Sequence, residues 1–294
     1  MTMALSPTPG DTSPGYPEVS FGYTADSLLA ALVSEHAFAM VPARDGRHYL
    51  VTGWRIRRPM PEWTRDDFYG HSGELADEAA FRARVLELAE HCRETIALDR
   101  REDRSRVSTP WGPSQGATIY ANGVVFHSTA GHGGFLLSAD RSSKVHRSLR
   151  VTGGAYEEDE AWAIVAFTFP DLFTGFERRC AERTIKDSFP GAWEAITGNA
   201  LEPGESRKKD ERAFFDKHAH DWIVVSAIFS GYQAGFTEVI ATLGGKRGPG
   251  TEERRFLVPS EEYCVDRFGF VIDPERHAVY GGPSSFVGWQ GRTA

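Results

Sequence analysis

The sequence predicts an α+β protein with a mixed, mostly antiparallel sheet, a helical insertion and an N-terminal helix/hairpin unit. Two hairpin signals support this, Asp45-Gly46 and Asn122-Gly123, each lying between strand-like runs. A largely helical stretch covers residues 156–220, and beyond it the pattern changes to short strands punctuated by Gly and Pro.

Taken in order, residues 1–20 are rich in Pro, Gly, Ser and Thr and read as a disordered tail. Leu28, Leu29, Leu32 and Val33 follow helical spacing over residues 25–35, with Thr24 as a candidate N-cap. Residues 37–43 and 48–56 form the arms of the first hairpin. Phe81, Val85, Leu88, Cys92 and Ile96 mark one face of a helix from about Asp77 to Leu98, which places Cys92 in a core as an inert thiol. The charged run 99–106 reads as a solvated linker, so residues 21–105 are expected to form an N-terminal α+β unit and 106–294 a motif-bearing α+β domain.

A two-residue Asn122-Gly123 turn pairs Ala121 with Val124, Tyr120 with Val125, Ile119 with Phe126 and Thr118 with His127. That register puts His127 on a face with Val125 and Tyr120. Glu157, Glu158 and Asp159 precede Trp162, Val165, Ala166 and Phe169, which sets the acids in the first turn of an amphipathic helix ended by Pro170. Further helices are expected at 176–189, near 192–197 and over 208–220. Strands follow at 222–229, 236–243, 254–258 and 268–272, and the nearly continuous apolar run from Trp222 to Phe229 reads as a central strand.

Composition narrows the function. The 294 residues are 40% hydrophobic and 25% charged, with a formal charge of −8, so the surface as a whole repels a nucleic-acid backbone. Two arginine clusters run against that balance: Arg55, Arg57 and Arg58, then Arg100, Arg101, Arg104 and Arg106. Cys92, Cys180 and Cys264 suit neither a disulfide framework nor a CxxC knuckle, and no segment is apolar enough to span a bilayer. A cytoplasmic protein without a membrane partner is the expectation.

Chemistry gathers in residues 108–159. The Gly131-His132-Gly133-Gly134 turn, with Ser128, Thr129 and Trp111 nearby, could hold a small anionic ligand on bare backbone N–H groups. His127, Ser128, Thr129 and His132 could combine with Glu157, Glu158 or Asp159 into a base, nucleophile and orienting acid, or into a His/carboxylate metal site. The competing structural reading is a tight glycine turn, acids favoured by a helix dipole, and a Trp that seals a core edge; residue by residue it is the stronger one. No Walker loop, dinucleotide fingerprint or H-E-x-x-H spacing is present, so no cofactor is identified and no metal assigned. His218 and His220 would point some 200° apart on a helix, which also favours a structural role.

The chain carries the phrases Thr-Pro-Trp-Gly (109–112), His-Ser-Thr-Ala-Gly-His-Gly-Gly-Phe (127–135), Tyr-Glu-Glu-Asp (156–159), Asp-Trp-Ile-Val-Val-Ser-Ala (221–227), Ala-Thr-Leu-Gly-Gly (241–245) and Arg-Arg-Phe-Leu-Val-Pro (254–259). In these phrases the chain, over about residues 25–289, resembles an uncharacterised bacterial family of unknown function often encoded on plasmids, prophage and other mobile elements. His220 departs from the pattern, which leads one to expect an acid there. The resemblance implies an accessory protein and supplies no activity. Two functions therefore stand: a non-catalytic binding or counter-defence factor engaging a host protein, and a hydrolase-like enzyme built on the Gly-His-Gly-Gly turn and the acids.

Overall fold

The computed structural model describes residues 18–43, 46–104 and 106–289. Residues 1–17 of the expected tail and Asp45 of the first turn signal lie outside them. The chain divides into two compact units, up to Ile185 and from Lys186. The first unit takes in the 21–105 segment together with the motif-bearing residues 108–159. Every strand pairing among the described residues is antiparallel, and helices and strands are interspersed, so the α+β class holds.

The first unit opens with a sequential five-stranded sheet: β1 (Val19–Tyr23), β2 (Leu29–Val33), β3 (His36–Pro42), β4 (His48–Trp54) and β5 (Gly70–Leu75). Helix α1 (Glu78–Ala97) starts where the Asp77 carboxylate accepts the Ala80 N–H at 2.8 Å. Its Phe81, Val85 and Ala89 pack on Leu29, Ala31, Val33, Phe38 and Leu50 of one sheet face. Ala30, Ala37, Ala39 and Val51 on the opposite face meet Trp63 and Phe68.

Coverage of both faces explains why the expected helix over 25–35 is instead a turn, β2 and the turn that follows it. A strand buried on both sides is apolar at consecutive positions, so Leu28-Leu29 and Leu32-Val33 fit either period. Thr24 serves the turn, not a helix: its hydroxyl donates to Asp26 at 2.6 Å and accepts the Leu28 N–H at 2.9 Å. Cys92 is half-buried on α1, and Ile96, expected on the inner face, is 61% exposed.

The second sheet runs in the order β12 (Ala155–Glu157), β11 (Gly133–Leu137), β10 (Val124–Ser128), β9 (Gly116–Ala121), β6 (Arg101–Asp103). Part of the supposed linker is therefore an edge strand, whose backbone pairs with Ala117–Ile119. The short strands β7 (Ser108–Thr109) and β8 (Gly112–Pro113) form a separate two-stranded ribbon that presents Trp111. Tyr120, Phe126, Phe135 and Phe173 meet edge to face or tilted within this region's core. Helix α2 (Ala139–Lys144) follows β11, and α3 (Trp162–Thr168) buries Ala163, Ile164, Val165 and Ala166 against β11 and β12. The unit ends within α4 (Gly175–Ser188), at Ile185, and the helix buries Ala181 and Ile185.

The β9–β10 hairpin forms at Asn122-Gly123, with a changed register. Ala121 opposes Val124, then pairing slips so that Ile119 opposes Val125, Thr118 opposes Phe126 and Ala117 opposes His127. Only Gly123 takes a positive φ, +77°. That is the geometry of a type I turn closed by a glycine bulge, which uses one more residue than the expected two-residue turn. Because one step reverses faces, Tyr120 joins Phe135 and Phe173, and His127 is left with Val125 and Ala117.

The second unit contains α5 (Pro190–Thr197), α6 (Arg207–Lys217) and a four-stranded meander: β13 (Trp222–Phe229), β14 (Phe236–Leu243), β15 (Glu253–Pro259) and β16 (Ala278–Val279). Val239, Ala241, Phe256, Val258 and Ile272 form its core. β13 is an edge strand, against the central position expected. Residues 270–272 cover its first half through Val224 N–H to Phe270 O (2.9 Å) and Ile272 N–H to Trp222 O (2.8 Å). Its second half runs past the core, leaving Phe229 78% exposed. The expected 268–272 strand is reduced to a single bridge, Ile223 to Val271. α6 ends at Lys217, so His218 lies beyond it and bonds Asp221 at 2.7 Å.

Candidate functional site

The site is assembled where β10, β11 and β12 lie side by side. Residues 129–132 turn the chain from β10 into β11: the Thr129 N–H donates to His132 O at 2.8 Å, and the Thr129 hydroxyl donates to the same oxygen at 2.6 Å. The His132 N–H in turn donates to the Thr129 hydroxyl at 3.2 Å. His132 thus projects from a locked turn, one residue before β11 begins.

Register brings the acids to it. Gly134 of β11 opposes Glu157 of β12, and the Glu158 N–H continues the ladder to Gly133 O at 3.1 Å. One Glu158 oxygen accepts the Gly133 N–H at 2.6 Å, and the other stands 3.3 Å from His132 Nδ1. Glu157 Oε1 lies 3.5 Å from the same nitrogen. One donor atom from each of the three side chains falls within 4.8 Å of the other two. The side chains of His132, Glu157 and Glu158 are 59%, 43% and 34% exposed, so this is a surface site.

The acids are not in a first helical turn. Glu157 ends a strand, Glu158 and Asp159 lie in a turn, and α3 begins only at Trp162 with no acid in its first turn. A helix dipole therefore does not explain them. Asp159 is exposed and falls outside the cluster. Partial burial pushes the Glu158 carboxyl upward, but N–H bonds from its own backbone and Gly133, together with His132, outweigh this and hold it below the usual carboxylate range.

The glycines have a packing reason. A Cβ on Gly134 would stand 2.4 Å from Tyr156 O and 2.5 Å from Trp111 Cη2, and one on Gly133 would stand 2.7 Å from His127 O. Neither residue has a positive φ; their role is close approach. Gly131 faces open space. Trp111 lies over Gly134, and its own turn is held by the Thr109 hydroxyl donating to Gly112 O at 2.7 Å. The N–H groups of His132 and Gly133 are both engaged, by Thr129 and Glu158, and an incoming anion would meet two carboxylates.

His127 is in a different place. It is 5% exposed, and its Nδ1 lies 3.1 Å from the Ser114 hydroxyl, which donates its own proton to Gly116 O at 2.9 Å. Ser114 therefore accepts from His127, and the buried pair fastens the entry to β9. Burial lowers the His127 pKa below its ordinary 6.5, partly offset by the Asp103 charge. Ser128 is exposed and donates to Gly116 O at 3.3 Å. No imidazole contact of Ser128 or Thr129 is found among the described residues, so neither forms an activated nucleophile.

Sequence spacing assigned no metal, because the three donors come from a turn and a neighbouring strand and only β11–β12 pairing unites them. The signal that could have found them was the Tyr-Glu-Glu stretch read as a strand.

Residues 104–219 match a family model described as a domain of unknown function (DUF7007). That span holds every residue of the cluster. No curated protein and no solved structure matches the chain.

Proposed function

We propose that this protein is a cytoplasmic accessory factor of a mobile genetic element that acts by binding, and that it carries a divalent cation, best zinc, on His132, Glu157 and Glu158. The observation that carries the metal reading is donor spacing. Ligands at zinc distances of about 2.0–2.1 Å lie about 3.4 Å apart at the corners of a tetrahedron. The His132 nitrogen stands 3.3 Å and 3.5 Å from its two carboxylate neighbours. The Gly133 N–H on the far oxygen of Glu158 supplies the outer hydrogen bond that orients a ligating carboxylate. The mobile-element setting rests on the family-like phrases at 109–112, 127–135 and 156–159. The cytoplasmic setting is supported by three free cysteines, one of them exposed. An exposed, anchored cation with open coordination positions suits docking onto a host protein's carboxylate or histidine.

A zinc ion held by these three donors would have a fourth position open to water, as catalytic zinc does, and on that ground the hydrolase-like reading is the second one. Zinc titration by calorimetry, with His132→Ala and Glu157→Gln in parallel, tests both. Saturable one-to-one binding lost in each variant supports the site; unchanged binding in either removes it. Hydrolysis of a nitrophenyl ester or phosphate by the zinc-loaded protein, abolished in both variants, would move the reading to an enzyme.

A further inference from the structure

A second site lies in the first sheet and involves none of the cation ligands. A cavity of about 270 Å³ opens beside the β2–β3 turn, lined by Leu32, Ser34, Glu35, Arg55, Ile56 and Arg57. We infer that it binds a small organic phosphate, with Arg57, Arg55 and the Ser34 hydroxyl on the phosphoryl group and Leu32 and Ile56 beneath the organic part.

The backbone is bent to make this place. Ser34 and Arg55 have φ of +53° and +54°, in the left-handed region where side chains are uncommon. The turn is fastened by the Arg55 N–H donating to Glu35 O at 2.9 Å. Left-handed residues cost least as Gly or Asn, yet here a hydroxyl and a guanidinium occupy the two positions and both line the cavity.

The three clustered arginines have separate fates. Arg58 is committed to the fold through Asp67 and Glu62 O. Arg55 bonds Glu35 at 2.8 Å and lies over the Trp54 ring. Arg57 has neither a hydrogen-bond nor an ion-pair partner among the described residues, and it lines the cavity. Two guanidiniums against one carboxylate leave the pocket positive in a chain of net charge −8. Guanidinium forks match phosphate oxygens two at a time, and the hydroxyl adds a donor. Leu32 and Ile56 are half-buried and continuous with the core cluster around Trp63, so the floor is apolar. The volume is small for a drug-sized ligand, whose pockets run from about 300 Å³ upward.

The test is calorimetry with phenyl phosphate and inorganic phosphate, on the full chain with metal removed. Phenyl phosphate should bind at one site and more tightly than inorganic phosphate. Arg57→Ala should weaken it about tenfold or more, and Arg57→Lys less, because a point charge replaces the fork. Glu35→Gln should tighten it, since the nearest repelling charge is gone. Absence of saturable binding, or equal binding to Arg57→Ala, overturns the site. Equal affinity for the two phosphates overturns the organic part, and tighter binding of a short single-stranded oligonucleotide reassigns the patch to nucleic acid.

Discussion

Gly134→Ala probes the framework that holds the proposed cation site. The added Cβ would stand 2.4 Å from Tyr156 O and 2.5 Å from Trp111 Cη2, distances that real Cβ contacts do not show. The carbonyl belongs to β12, paired through Phe135 and Tyr156, and Tyr156 is fully buried, so it cannot swing aside. Trp111 can move, at the loss of its packing. Overpacking costs about 1–3 kcal/mol, and a backbone obstacle places this case at the upper end, about 2–3 kcal/mol. For a unit of this size that corresponds to a Tm lower by about 4–12 °C. The control is Gly131→Ala, whose Cβ meets nothing within 4 Å at a residue without positive φ; it should change stability by no more than about 0.5 kcal/mol. Urea denaturation followed by Trp fluorescence, with zinc titration on each variant, makes the comparison. Gly134→Ala should lose zinc affinity as well, because Glu157 is held opposite Gly134. Equal stability of the two variants would refute the Trp111–Gly134–β12 stack and the positioning of Glu157 derived from it.

The second unit should be sensitive to its buried ion pair: Glu238→Leu leaves the 8%-exposed Arg255 side chain unpaired and should cost about 3–5 kcal/mol in chemical denaturation, with Glu238→Leu/Arg255→Met recovering most of it. A double variant no more stable than the single would argue that Ser284 and Ser285, not the pair, carry the effect. His127 makes stability depend on pH. Its folded pKa is depressed, so between that value and 6.5 the unfolded chain binds a proton the folded one refuses, stability falls as pH drops through 6.5, and His127→Gln should flatten this part of the profile. Gly123→Val forces a β-branched residue to φ +77° with its Cβ 2.4 Å from Ser138 Oγ and should lower stability by at least about 1 kcal/mol; an unchanged midpoint would contradict the glycine bulge.

Local signals in the sequence located elements well where a single period was present. α1 shows its 3.6-residue stripe, and the meander of the second unit shows short strands between glycine turns. Reading failed where one pattern served two structures. The pairs Leu28-Leu29 and Leu32-Val33 in and beside β2 fit a helix because a strand covered by α1 on one face and Trp63 and Phe68 on the other has no polar alternation to show. Trp222–Phe229 failed in the opposite direction: its apolar run extends beyond the core, so hydrophobicity overstated burial. The one-residue slip at Val124 was invisible because Asn-Gly is compatible with both the two-residue turn and the bulged one.

The proximity of His132 to the acids was legible in sequence, but for a reason that does not apply. A glycine-framed loop and a helix N-terminus were expected to meet, whereas strand register is what joins them. Once the framework is accounted for, the residue types sort themselves. Gly133, Gly134, Trp111, Thr129 and His127 each have a packing or hydrogen-bonding role that accounts for them. Glu158 has half of one, since a single oxygen holds the Gly133 N–H. His132 and the Glu157 side chain fasten no backbone group in the described structure, and the turn and the β12 ladder that carry them are closed by other atoms. Two carboxylates facing one imidazole on the surface are the arrangement on which the proposed cation site rests, and the Gly134→Ala comparison and the zinc titration test it.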